Sequence, residues 1–156
     1  MSLYLPDEVT EKLAAYIATL VPVARYAPWA DAAWRPTDVP LFLQAVPAGQ
    51  APLCFSLKDD SLTVANEDAD TITWRAEMVL EFLFPQNPAN AKAEWNAAGL
   101  AGHCLLAHLR RHTSDWPKGI DIPASKAISL RRSPISGWLD CSLTFPVVYT
   151  SPLTWS

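Results

Sequence analysis

Along residues 73–84 the even positions are Trp74, Ala76, Met78, Leu80, Phe82 and Phe84, while the odd positions include Thr73, Arg75, Glu77 and Glu81. Residues 138–149 repeat the pattern in the opposite phase, with Leu139, Cys141, Leu143, Phe145, Val147 and Tyr149 alternating with Asp140, Ser142 and Thr144. Successive strand side chains point to opposite faces of a sheet, so a period of two predicts two strands, each with one apolar and one wetter face. Each stretch is about twice the usual strand length. Strands that long tend to form ribbons that project from a domain or join neighbouring subunits.

The remaining elements follow from weaker patterns. Residues 7–20 predict a helix, because Asp7 and Glu8 suit its positive end and Val9, Leu13, Ala14, Ile17 and Leu20 share a face. Residues 21–52 form a Pro- and Trp-rich connection with a possible short strand at 41–46. Residues 53–57 predict a strand, with Leu53, Phe55 and Leu57 on one side. Residues 58–70 are polar and lack a core pattern, which predicts an exposed acidic loop or hairpin tip. Asn87-Pro88 opens a second helix reaching about residue 112, with Ala91, Trp95, Ala98, Gly102, Leu105 and Leu109 as its buried stripe. Its small residues allow close approach to a sheet. Residues 126–132 and 138–149 then form a hairpin around a turn at 133–137. The expectation is one α/β (α+β) domain over residues 1–156, in the order α-β-β-α-β-β. Its sheet is mainly antiparallel and carries both helices on one face.

Composition narrows the function classes. Half the residues are apolar, so a substantial core is available. A net charge of −4 with no long basic cluster argues against specific nucleic-acid recognition. No apolar run reaches the roughly 18 to 20 residues that cross a bilayer, so no membrane partner is expected. The first residues lack the basic start and apolar middle of a secretory signal, and Cys54, Cys104 and Cys141 lie in apolar surroundings. Both points predict synthesis in a cytoplasm with reduced thiols. Fourteen prolines punctuate the chain between the periodic segments. Pro146 falls inside the last strand and predicts an unpaired side there.

Candidate chemistry is sparse. His108 and His112 are four apart on the second helix and share a face, but His103 sits about 140° from His108. No third ligand joins the pair, and His with Arg in a last helical turn is favoured by the helix dipole alone. The strand cysteines are expected to be buried and unreactive. No nucleophile elbow or phosphate-binding glycine loop is present. The chain is therefore expected to be neither an enzyme nor a binder of any cofactor or metal. Trp29 and Trp34, on the stiff connection, are candidate interface anchors. Lys58, Asp59, Asp60, Glu67, Asp68 and Asp70 form a second candidate interface segment, whose carboxylates repel one another until a partner's cations neutralise them.

The segment Asp70-Thr71-Ile72-Thr73-Trp74-Arg75-Ala76-Glu77, running on to Phe84-Pro85, enters a long strand and leads into a helix. Later come Arg131-Arg132, Trp138-Leu139-Asp140, Thr144 and Val148-Tyr149. Over residues 52–149 this arrangement resembles the tail terminator (minor tail protein U-like) family of long-tailed bacteriophages. The resemblance implies a structural protein that assembles as a hexameric ring at the head-proximal end of the tail tube. Such a ring stops tube polymerisation and joins the tail to the head. The implied partners are further copies of the chain, the tail tube protein and a head-completion or connector protein. The implied location is the virion tail after synthesis in a bacterial host, with Arg131 and Arg132 added to the candidate interface. Another tail ring or tube component, a small cytoplasmic adaptor and an enzyme are the alternatives.

Overall fold

The computed structural model describes residues 2–20, 33–37, 53–85, 88–111, 115–123, 129–135 and 137–153. Two helices, α1 (Pro6–Ala18) and α2 (Ala91–Arg110), accompany five strands: β1 (Arg35–Pro36), β2 (Cys54–Glu67), β3 (Thr71–Pro85), β4 (Ser129–Ile135) and β5 (Trp138–Pro152). The strands lie in the order β1-β2-β3-β5-β4. The four longer strands pair antiparallel, and the two residues of β1 run parallel to β2. This is an α+β fold, as the periodicity predicts. The mixed sheet gains β1, which the expected order lacks.

Both long alternations are strands, and each runs past its apolar pattern, because the β3–β5 ladder continues unbroken from Thr71↔Pro152 to Pro85↔Trp138. One hydrophobic cluster contains the inward residues of both helices, the even positions of β3 and the odd positions of β5. The helices thus share a sheet face. On β3 and β5 that face includes Met78, Leu80, Phe82, Leu143 and Phe145, all fully buried. Pro146 lies where β5 lacks a partner on its β4 side among the described residues. The β4 ladder stops at Ser129↔Thr144, and the next bridge on that side joins Asp121 to Val148.

α1 begins with Pro6, whose missing N–H costs nothing in a first turn, and the Glu8 carboxylate accepts the Leu5 N–H at 2.7 Å. α2 starts after a 3-10 turn at Pro88–Asn90, later than the sequence pattern predicts. Of the predicted stripe Ala98, Gly102, Leu105 and Leu109 are buried, while Ala91 and Trp95 are half-buried and Glu94 and Ala101 are buried in addition. The Tyr16 ring meets Trp116 edge-on at 5.0 Å, and the Trp116 Nε1–H donates to the Ile120 carbonyl at 2.7 Å. That contact ties α1 to the segment after α2. Gly137 closes the β4–β5 turn with φ +84, a conformation that costs glycine little.

Residues 58–67 depart from the predicted loop. They are the distal part of β2, paired to β3 through Glu67↔Ile72. Residues 61–70 are all exposed, so the brief Leu62 and Val64 alternation carries no buried face that would mark the strand. Among the described residues its backbone partner is β3. The loop itself shrinks to residues 68–70.

Candidate functional site

β3 and β5 have 15 residues each, which corresponds to about 50 Å at about 3.3 Å per residue. The far end of this ribbon carries the β2–β3 hairpin. Its turn is tied by the Asp68 N–H donating to the Thr71 carbonyl at 2.9 Å and the Leu153 N–H donating to the Asp70 carbonyl at 3.0 Å. Leu62 pairs with Ala76 and Val64 with Trp74, which places both on the helix-bearing side. They are nevertheless 38% and 48% exposed. Together they make a small exposed apolar patch on an otherwise solvated strand. Asp60, Glu67, Asp68 and Asp70 are exposed around them.

The opposite sheet face carries charge. Glu81 lies in one row with Ser142 and Arg131, and Asp140 is in register with Leu83 in the next row. Burial raises the Asp140 carboxyl, and the Glu81 carboxylate raises it further; the Arg131 guanidinium opposes both, leaving it at about 6. Burial likewise raises Glu81, against the pull of Lys58. Because the Asp140 proton is held more tightly in the folded chain, its stabilising contribution is complete below about pH 4 and is lost as pH rises through about 6. Asp140→Asn should therefore raise Tm at pH 7.5 by a few degrees and leave it nearly unchanged at pH 4.5. Thermal melts at the two pH values check this; an equal shift at both would show that the charge is irrelevant.

On the same face a cavity of about 310 Å³ opens between β2, β3 and β5, lined by Ser61, Thr63, Arg75, Glu77, Thr144 and Pro146 among others. It lies beside the register slip between Asp59 and Ser61. Such a bulge re-aims the side chains that follow it. The Arg75 Nη2 is buried there without a hydrogen-bond partner.

No family model matches this chain, and no curated protein does either.

The candidate interface residues separate into groups. Trp34 is a core residue, 4% exposed, with ring contacts to Phe55 at 6.1 Å and Phe82 at 5.2 Å. It is not available as a surface anchor, because β1 pulls its segment onto β2 and turns the indole inward. Arg132 is also engaged within the fold. Its guanidinium stacks 4.5 Å from the Trp95 ring and donates to the Trp95 carbonyl at 2.9 Å, fastening α2 to β4. Arg131 and Lys58 are exposed on the charged face, and Asp59 is half-buried on the helix side. Glu67, Asp68 and Asp70 gather at the hairpin tip. Trp29 lies outside the described residues, as do the predicted strand at 41–46 and most of residues 21–52.

Among the described residues no three His, Cys, Asp or Glu side chains come together as a metal site. His103 is exposed and His108 half-buried; His112 lies outside the described residues. Burial pushes the Cys141 thiol up to about 12, so it is scarcely ionised at neutral pH. No described helix is long and apolar enough to cross a membrane. Arg75 and its cavity have no sequence signature. In the alternation Arg75 is one more polar position, and the gap beside it depends on a bulge in another strand.

Proposed function

We propose that this chain is a ring-forming structural subunit of a bacteriophage tail, acting as the terminator at the head-proximal end of the tail tube. The carrying observation is the β2–β3 arm. It extends the sheet with Leu62 and Val64 exposed and with the exposed carboxylates of Asp60, Glu67, Asp68 and Asp70 on the same hairpin. A lone domain gains little from such an arm, whereas a subunit that meets a different patch on its neighbour uses it to close a ring. The family resemblance supports the same reading, since its quoted segment at 70–77 forms the arm's turn and the start of β3.

Native mass spectrometry tests the proposal. The expected result is a closed species at six times the 17.2 kDa chain mass. Val64→Asp should reduce it to folded monomer, because the residue is already half in water. Added ring should also arrest elongation of purified tail tubes. A monomer at every concentration and salt, with no effect on tube growth, overturns the reading.

A further inference from the structure

We infer that the Arg75 cavity is the socket for a carboxylate from the acidic hairpin tip of a second copy of this chain. The inference rests on the ring reading and gives its interface a specific contact. Arg75 presents a guanidinium nitrogen that is buried and has no hydrogen-bond partner. Arg75 also lines the cavity, and because buried donors are nearly always satisfied, an unpartnered one on a cavity-lining side chain marks a missing acceptor. The fork of guanidinium N–H groups matches the two oxygens of a carboxylate, and Ser61, Thr63 and Thr144 add hydroxyl donors on the cavity wall.

Size and charge narrow the occupant. About 310 Å³ is at the small end of ligand sites, enough for a side chain and its neighbours rather than a large cofactor. Glu77 also lines the cavity and is exposed at its rim. With one guanidinium and one carboxylate already present, a dianion such as phosphate is disfavoured, whereas a single side-chain carboxylate is tolerated. Such groups are concentrated at Glu67, Asp68 and Asp70, all exposed.

The chain's own tip cannot fill its own socket. Thr63 pairs with Arg75, while Glu67 pairs with Ile72 in the same ladder. Three residues of β3 separate those rows, so the tip is carried about 10 Å along the strand, away from the cavity. Only another molecule can bring a tip to it. Passed from copy to copy in one direction, the contact is head to tail, as ring closure requires.

Charge reversal with complementation tests this. Arg75→Glu in one variant, and Glu67→Arg with Asp68→Arg and Asp70→Arg in another, should each weaken self-association by about thirtyfold or more in low salt. Mixed in equal amounts, the two should assemble again, because each reversed socket then meets a reversed tip. Circular dichroism and Tm establish that both variants are folded before mixing. Recovery in the mixture supports the socket, since damage to the fold would not be repaired by a partner. An oligomer that ignores Arg75→Glu, or one lost in both variants and not restored by mixing, overturns the socket and leaves the ring reading standing. A wild-type chain that never self-associates overturns both.

Discussion

Phe82→Ala should cost about 3–5 kcal/mol of folding stability, the usual range for emptying a buried phenylalanine site. Phe82 is fully buried on β3, the central strand, where it is flanked by Phe55 on β2 and Cys141 on β5. The Trp34 indole meets it edge-on at 5.2 Å and 80°. Removing the ring deletes the transfer energy of its carbons and leaves a void between two paired strands that cannot close independently. The loss also loosens Trp34, whose segment joins the sheet through the two residues of β1 and neighbouring backbone bonds. Against a typical total of about 5–15 kcal/mol, one substitution removes a large part of the stability. Urea unfolding followed by tryptophan fluorescence measures it. Val64→Ala on the exposed arm is the control and should change the monomer by no more than about 0.5 kcal/mol. Similar midpoints for the two variants would mean that the core does not centre on Phe82.

Gly102→Leu should be the second severe change, costing about 3 kcal/mol by forcing α2 away from β4. A Cβ placed on Gly102 would sit 2.6 Å from Leu130 Cδ2 and 2.9 Å from Leu130 Cδ1, closer than atoms can pack. A methyl group alone can be accommodated if Leu130 rotates, and alanine also favours the helix by about 0.5–1 kcal/mol over glycine. Gly102→Ala should therefore be nearly neutral. Leucine has no such escape: lifting α2 would also pull the Arg132 guanidinium off Trp95 and break its bond to the Trp95 carbonyl. Combining Gly102→Leu with Leu130→Ala should restore much of the loss, because the second change opens the space that the first requires. Denaturant midpoints for the two single variants and the pair measure that coupling. Additive losses would show that the helix does not rest on this contact.

The two long strands, both helices and their shared face can be read from the order of residues alone. A buried sheet face forces a repeat every two residues, and a buried helical stripe forces one near 3.6, so burial writes itself into the order of side chains. Among the described residues no ladder partner lies beside Pro146 on the β4 side, in keeping with a proline that has no N–H to give a ladder. The small residues of α2 also announced a close approach, and Gly102 makes one. Other features arise from contacts between segments distant in the chain. Residues 61–67 bury no side chain, so the brief alternation of Leu62 and Val64 with Ser61 and Thr63 marks no core face, and pairing with β3 defines the strand. β1 is too short for any pattern and is defined by pairing alone. Trp34 and Arg132 look alike as surface candidates in a linear reading, yet one is turned into the core and the other is laid over Trp95. Arg75 acquires a cavity through a register slip in the facing strand, where spacing between strands rather than spacing along the chain sets what each side chain meets.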